Sequence, residues 1–257
     1  LTRKLRVEGA LNGLITTSEK SNESLIEKVK NYSGITGLNL TKDVSTSTPY
    51  QWSSSSTAKY NVAVIDCGVK FGILRQLESL QCNVTVLPYT TSAQDILQGN
   101  FDGVLVSNGP GDPNAVTETI ECIQQLLGKI PLFGICLGHQ MLCCATGFTM
   151  KKLPFGHHGL NHPIMNLATQ KIEITSQNHI YCAQKESIPE DFSISHINLN
   201  DQTIAGIRSD KLMAFSVQYH PEAAPGPSDS YYLFNDFIHL MKHKSFSTIL
   251  KVKETQI

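Results

Sequence analysis

From about residue 60 onward, short apolar runs alternate with amphipathic segments. Each run is four to six residues long and rich in β-branched or apolar side chains, which is typical of buried strands. The predicted strands are 61–66, 84–87, 103–106 and 132–135. Between them, residues 71–80 and 116–127 place apolar side chains at helical spacing. This alternation predicts an α/β fold, with a mostly parallel sheet covered by helices on both faces.

The second half of the chain has shorter predicted strands at 171–175, 194–199, 203–207 and 212–217, and a closing helix at 231–242.

Before residue 60 the pattern of apolar and polar positions is different. Residues 45–57 are rich in Ser and Thr and predict a linker or surface loop. Two helical patterns, at 1–10 and 23–32, precede it and are too short and polar to fold alone. The predicted division is 1–44 as the end of an N-terminal domain, 45–58 as linker, 59–245 as the main domain and 246–257 as tail.

Composition narrows the functional classes. An apolar content of 40% in 257 residues supports a real core, and a net charge of -1 gives no reason to expect nucleic acid or an anionic membrane as partner. No apolar run reaches membrane-spanning length. Seven cysteines without a C-x-x-C spacing indicate reduced thiols. The missing initiator Met suggests a fragment, and abundant Asn, Lys, Ile and Ser suggest an AT-rich genome. We therefore expect a bacterial cytoplasm or a plastid (chloroplast) stroma.

The most informative motif is Gly-Ile-Cys-Leu-Gly at 134–138, directly after the predicted strand at 132–135. Small residues two positions either side of Cys136 permit a sharp strand-to-helix turn that exposes one side chain. At a helix N-terminus, backbone N–H groups favour thiolate over thiol. Cys136 is therefore predicted to be a nucleophile. The other cysteines, which lack this context, are interpreted as packing or surface residues.

A base for this nucleophile is expected after the strand at 212–217, where His220-Pro221-Glu222 follows. Reactive groups gather beyond the carboxyl ends of parallel strands. His220 there can reach a thiol on a neighbouring strand end, and Glu222 can fix its tautomer. Taken alone, His220 would be interpreted as a turn residue. Paired with Cys136, it predicts a catalytic triad.

Three further segments bear on the predicted site. The Asn108 to Pro113 loop predicts a pocket wall in which Gly109 and Gly111 let backbone N–H groups approach a substrate. Residues 155–163 contain three histidines, but no companion carboxylate or cysteine lies at a familiar spacing. We interpret this segment as a structured polar loop and predict no metal site. Residues 176–179 end a predicted strand and place Asn178 near the same cleft.

These motifs carry a resemblance. Gly-Ile-Cys-Leu-Gly-His-Gln at 134–140 and Tyr-His-Pro-Glu at 219–222 resemble class I, triad-type glutamine amidotransferases. The segments at 107–113, 155–163, 176–179 and 220–227 resemble the small, glutamine-hydrolysing subunit of carbamoyl-phosphate synthase. Residues 1–6 and 9–13 resemble the late part of that subunit's N-terminal domain. The resemblance covers essentially the whole chain.

The resemblance implies roles at matching positions. Cys136 would be the nucleophile, His220 the general base and acid, and Glu222 its partner. The glutamine site would comprise Gly109, Gly111, Leu137, Gln140, Asn178, Ile180 and Tyr181. Two of these positions depart from the family pattern, since Ile180 stands in place of Gly and Tyr181 in place of Phe. A side chain at Ile180 would make a positive φ costly.

The resemblance also implies a partner. The subunit would hydrolyse glutamine to glutamate and ammonia. The ammonia would then pass to a large subunit that makes carbamoyl phosphate for pyrimidine and arginine biosynthesis. ATP and Mg²⁺ are expected only in that subunit, and no cofactor is expected in this chain. The alternatives are an amidotransferase subunit of anthranilate or guanylate synthesis, a non-catalytic subunit that binds a partner, and a free-standing cysteine hydrolase. The 155–163 segment argues against the first alternative, and the presence of Cys136, His220 and Glu222 against the second.

Overall fold

A computed structural model describes residues 1–246. Of the predicted tail 246–257, all but Phe246 lies outside the described residues. The helices are α1 (Thr2–Glu8), α2 (Asn22–Lys30), α3 (Phe71–Ser79), α4 (Ala93–Gln98), α5 (Thr117–Leu126), α6 (Leu137–Thr146) and α7 (Tyr232–His243). The strands are β1 (Tyr50–Ser53), β2 (Tyr60–Asp66), β3 (Cys82–Pro88), β4 (Gly103–Val106), β5 (Leu132–Ile135), β6 (Met150–Asn166), β7 (Lys171–Ala183), β8 (Ser193–Asn198), β9 (Ile204–Ser209) and β10 (Ala214–Val217). Single 3-10 turns lie at Thr41–Asp43, Pro113–Ala115 and Lys185–Ser187.

Within residues 1–246 the strands form one ten-stranded sheet in the order β1-β3-β2-β4-β5-β10-β9-β8-β6-β7. The five strands from β3 to β10 in this order are mutually parallel. From β10 onward every pairing is antiparallel. We call β3, β2, β4, β5 and β10 the parallel half, and β9, β8, β6 and β7 the antiparallel half. The carboxyl ends of β2, β4, β5 and β10 therefore meet at one edge of the sheet.

Two apolar clusters cover the two faces of the sheet. One includes side chains of α4, α5 and α6, among them Ile96, Ile123 and Met141, all fully buried. The other includes side chains of α3 and α7, among them Leu74 and Phe237. Apolar burial of this kind contributes about 25 cal/mol per Å². The predicted α/β class, with a parallel central sheet and helices on both faces, is confirmed.

The long hairpin of β6 and β7 differs from the sequence prediction. Residues 155–163, predicted as a loop, lie inside β6, and residues 176–179 lie inside β7 rather than at a strand end. The prediction was wrong because glycine, proline and histidine locally favour turns. Pairing with β7 overrides that preference. The register shifts between Lys152 and His157 and again between Gly159 and His162, which accommodates the unfavourable residues as irregularities in a paired strand.

The segment predicted as linker, 45–58, contains β1. This strand pairs antiparallel with β3 and forms one edge of the sheet. Its Ser and Thr content hid a short edge strand, whose outer face needs no apolar residues. Helix α4 was also absent from the prediction. The division of the chain into domains stays a prediction.

None of the helices in residues 1–246 is both long and apolar enough to cross a membrane.

Candidate active site

Cys136 lies in the turn between β5 and α6, with φ 54° and ψ -101°. A non-glycine residue rarely adopts a positive φ, and such strain is concentrated at functional sites. The flanking glycines make the turn possible. A Cβ on Gly134 would lie 2.7 Å from the Gly138 carbonyl oxygen, and a Cβ on Gly138 would overlap the Val106 carbonyl oxygen. The backbone N–H of Cys136 donates to the Val217 carbonyl at 2.9 Å, which ties this turn to β10.

His220 and Glu222 follow β10, the parallel neighbour of β5. His220 Nδ1 lies 2.7 Å from Glu222 Oε1. The backbone N–H of His220 donates to the Ser176 carbonyl at 3.0 Å, which fixes the loop against β7. Both side chains are buried, with 7% and 1% exposure. Because adjacent parallel strands end at the same edge, His220 and Cys136 line one cavity.

The electrostatics link the three side chains. Burial by itself lowers the pKa of His220, but its interactions with neighbouring Cys136 and with the Glu222 carboxylate raise it to about 10. Burial raises the pKa of Glu222, but His220 and Lys70 hold it below its ordinary value. The arrangement therefore favours a protonated His220 imidazole paired with an ionised Glu222 carboxylate.

Lys70 was missed by the sequence analysis. Its Nζ lies 2.8 Å from Glu222 Oε1 and donates to the Ala223 carbonyl at 2.9 Å. It occupies the residue before α3, shortly after the carboxyl end of β2, and its side chain does not cap the helix. Position at that sheet edge was the signal that could have identified it. Lys70 compensates the buried Glu222 charge, which would otherwise be costly.

A cavity of about 790 Å³ opens at this edge of the sheet. Among the predicted glutamine-site residues, it is lined by Gly109, Gly111, Gln140, Asn178, Ile180 and Tyr181. Leu137 is different, since its side chain packs in the core and is 1% exposed. Leu137 can therefore meet a substrate only through its backbone.

Several of these residues are held by their neighbours. Gln140 Nε2 donates to the Tyr181 carbonyl at 3.0 Å and to Gln218 Oε1 at 3.1 Å. Asn178 Oδ1 lies 3.0 Å from His158 Nδ1. Ile180 is not among the positive-φ residues of the described chain, so its side chain causes no backbone strain there. The Tyr181 hydroxyl donates to Asp112 Oδ2 at 3.2 Å.

The remaining cysteines differ from Cys136 in their surroundings. Burial raises the pKa of five of them. The pKa rises to about 12 for Cys82 and Cys122 and to about 11 for Cys182, and it is also raised for the fully buried Cys67 and Cys143. Cys144, on α6, is half-buried, and burial raises its pKa to about 12. A raised pKa keeps a thiol protonated and unreactive. Cys136 is the cysteine that lines the cavity beside an imidazole.

The histidines of 155–163 are engaged in hydrogen bonds. His157 Nδ1 lies 3.2 Å from His179 Nε2, and His157 Nε2 lies 2.8 Å from Asp201 Oδ2. Within the described residues, no group of three or more His, Cys, Asp and Glu side chains is arranged to hold a metal ion.

Comparison with known proteins agrees with this geometry. Residues 63–240 match the family described as glutamine amidotransferase class-I. The chain belongs to the class I glutamine amidotransferase family. The matched region contains the Cys136 turn, His220 and Glu222, as well as most of the residues that line the cavity.

Three curated relatives of this amidotransferase chain carry the name carbamoyl phosphate synthase small chain. The protein from Nostoc sp. is 47% identical over 98% of this chain and 69% of its own length. The protein from Staphylococcus epidermidis is 47% identical over 100% of this chain and 68% of its own length. The protein from Syntrophotalea carbinolica is 46% identical over 94% of this chain and 68% of its own length.

A crystal structure of a Thermoplasma acidophilum protein, provisionally assigned to GMP synthase, has a similar fold. The TM-score is 0.62 at 17% identity, over 71% of this chain and 94% of that one. At this identity the likeness concerns the fold alone.

Proposed function

We propose that this chain is the glutaminase subunit of a carbamoyl-phosphate synthase. It would hydrolyse glutamine to glutamate and ammonia for a large synthetase subunit. The observation that carries the proposal is that Cys136 and His220 line one open cavity, with Glu222 hydrogen-bonded to His220 behind it. The names of relatives with 46–47% identity support the choice of this amidotransferase over others.

In the first half-reaction, the Cys136 thiolate attacks the carboxamide carbon of glutamine and forms a tetrahedral adduct. His220, whose raised pKa keeps it protonated, donates its proton to the departing amide nitrogen. The C–N bond breaks, ammonia leaves, and a glutamyl thioester remains on Cys136. Glu222 and Lys70 hold the imidazole in the orientation that this transfer requires.

In the second half-reaction, the neutral His220 accepts a proton from water. The resulting hydroxide attacks the thioester carbon, the C–S bond breaks, and glutamate leaves with the thiolate restored. Each step produces a tetrahedral oxyanion. The backbone N–H groups of Leu137 and Gly109 have no acceptor among residues 1–246, and Gly109 packs against the Leu137 side chain. We assign them to the oxyanion.

A partner is part of the proposal. The synthesis of carbamoyl phosphate from ammonia and bicarbonate requires phosphoryl transfer, and we assign ATP and Mg²⁺ to the large subunit. The product would serve pyrimidine and arginine biosynthesis. The compartment, bacterial cytoplasm or plastid stroma, stays a prediction from composition.

The test is glutamate release from glutamine by the chain together with its large subunit. Cys136→Ser should reduce this release by about 10³-fold or more, because the oxygen nucleophile lacks thiolate reactivity. Synthesis of carbamoyl phosphate from added ammonia should survive. Cys144→Ser is the matched control and should retain glutaminase activity. Undiminished glutamate release by Cys136→Ser would refute the nucleophile assignment.

A further inference from the structure

One wall of the active-site cavity comes from the N-terminal part of the chain. Residues 35–40, here called the N-terminal wall, contribute Ile35 and Leu40 to the cavity lining. They precede the parallel half of the sheet in sequence and belong to none of its strands. What holds this irregular segment in place therefore decides the shape of the substrate site.

Asp112 is the residue that joins the wall to the sheet edge. Its Oδ2 accepts a hydrogen bond from the Gly37 N–H at 2.9 Å, and its own N–H donates to the Leu38 carbonyl at 3.1 Å. Its Oδ1 accepts from the backbone N–H and the Nδ2 of Asn114, both at 3.0 Å. The side chain is only 5% exposed. Hydrogen bonds to a buried carboxylate are among the stronger ones in proteins.

Tyr181 completes the connection from the opposite side of the cavity. It lies on β7, in the antiparallel half, and is 5% exposed. Its hydroxyl donates to Asp112 Oδ2 at 3.2 Å and lies 3.3 Å from Thr36 Oγ1. One phenolic oxygen thus touches the loop after β4 and the N-terminal wall. The backbone carbonyl of Tyr181 accepts a hydrogen bond from Nε2 of Gln140, which lies on α6, the helix that begins directly after Cys136.

We propose that Asp112 and Tyr181 form a latch that holds the N-terminal wall closed over the glutamine cavity, so that both act as positioning residues for substrate binding. The inference rests on the proposed function. The latch does not touch His220 or Glu222, so it should affect how tightly glutamine is bound more than how fast the bound substrate reacts. An ordered wall also removes part of the ordering cost of binding.

The kinetic test uses the full chain with three substitutions and one control. Tyr181→Phe keeps the ring and removes the hydroxyl, Asp112→Asn removes the charge, and Thr36→Val removes the wall's own hydroxyl. We expect the KM for glutamine to rise about tenfold in the first two and about threefold in the third, with kcat within about twofold of wild type. Tyr231→Phe, which removes an exposed hydroxyl outside the cavity, should leave both constants unchanged.

A structural readout that does not depend on activity is the exchange rate of the Gly37 amide hydrogen. Exchange reports local opening, and the Gly37 N–H is protected by Asp112. Tyr181→Phe and Asp112→Asn should accelerate exchange across 36–38 and leave the amides of β5 unaltered. The control should match the wild type.

The outcomes separate the latch from the function on which it rests. A wild-type chain that hydrolyses no glutamine together with its large subunit would refute the proposed function, and exchange at Gly37 would still report on the latch. A hydrolysing wild type with unaltered KM in Tyr181→Phe would refute the latch alone. So would a loss confined to kcat, or unchanged exchange across 36–38 in both Tyr181→Phe and Asp112→Asn.

Discussion

The parallel and antiparallel halves of the sheet bury different kinds of surface. In the parallel half most buried positions are apolar, and Val62, Leu105 and Phe133, for example, are fully buried; Asp66 and Ser216 are polar exceptions. In the antiparallel half the buried positions include many polar side chains, namely His157, Glu173, Thr175, Gln177, His179, His196 and Asn198. Each half also supplies a different part of the site. The parallel half positions Cys136 and His220, the proposed nucleophile and base, whereas β7 supplies a wall of the cavity.

This difference shows two ways of fixing a site. Close backbone packing around Gly134 and Gly138 leaves no room for a side chain on either side of the Cys136 turn. On β7 the positions are set by hydrogen bonds instead, such as those that join His179 Nδ1 to the Tyr181 carbonyl and His179 Nε2 to Gln177 Oε1. Hydrogen-bond networks are directional and fail when one partner is lost. The two halves should therefore respond differently to substitution.

The largest expected effect is in the parallel half. Glu222→Gln should lower the rate of glutamine hydrolysis by about 10²-fold or more, because the amide cannot stabilise the imidazolium. Glu222 also helps to raise the pKa of His220 to about 10, so the alkaline limb of the kcat/KM profile should move to lower pH. Steady-state glutaminase assays across the pH range measure both effects.

Glu121→Gln, an exposed change on α5, is the matched control and should alter neither the rate nor the pH profile. An unshifted alkaline limb in Glu222→Gln would contradict the assigned partnership of Glu222 with His220.

A second expected effect is a loss in the free energy of unfolding of the protein, caused by a substitution in the antiparallel half. Glu173 accepts hydrogen bonds from Tyr232 at 2.7 Å and Ser230 at 2.8 Å. Glu173→Ala removes the acceptor of the buried Ser230 hydroxyl and one partner of the half-buried Tyr232 hydroxyl, which stays within reach of Asn166 Nδ2 and His196 Nε2. The change should lower the free energy of unfolding by about 3 kcal/mol. Leu126→Ala, in the apolar cluster over the parallel half, should cost a similar ~3 kcal/mol through cavity formation.

Combination with Tyr232→Phe separates the two mechanisms in urea unfolding. The Tyr232 change should cost less in the Glu173→Ala background than alone, and its full amount in the Leu126→Ala background. Strict additivity in both backgrounds would argue against a hydrogen-bonded unit.

The third prediction concerns the pH dependence of stability. Burial lowers the pKa of His196, on β8, to about 3. Only the unfolded state gains this proton below pH ~6.5, so stability falls as the pH falls from ~6.5 towards 3. His196→Asn should reduce the slope of unfolding free energy against pH there by ~1.4 kcal/mol per pH unit. His243→Asn, an exposed change at the end of α7, is the control.

The contribution of His220 to stability should depend on pH in the opposite direction. Its folded pKa of about 10 exceeds the unfolded value of ~6.5, so its contribution is fully present below pH ~6.5 and is lost as the pH rises towards 10. If His196→Asn had the same slope of unfolding free energy against pH as the wild type below pH ~6.5, His196 would not be a buried, neutral side chain in the folded state.

The smallest expected effect is at Ile180 on β7. Because its backbone is part of a regular strand without positive φ, contact with glutamine can be made through the main chain. Ile180→Ala should therefore change the KM for glutamine by less than about threefold. A tenfold change would mean that the side chain itself contacts the substrate.

Much of the fold was accessible from the sequence because the signals are local. The apolar runs at 103–106 and 132–135 coincide with β4 and β5, since buried parallel strands must be continuously apolar. The same holds for the helices α3 and α5, predicted to within one residue at each end. The Cys136 turn was accessible because glycine spacing is a local steric requirement.

Other features were decided by tertiary structure. The β6–β7 hairpin overrode local turn preferences, because each strand supplies the other's hydrogen-bond partners. The pairing of Lys70 with Glu222 joins residues 152 positions apart in the chain, and Tyr181 meets Asp112 and Thr36 only when three separate segments fold together. Sequence periodicity records which side of an element is apolar. It does not record which polar groups from distant elements meet, because such contacts depend on the order of strands in the sheet.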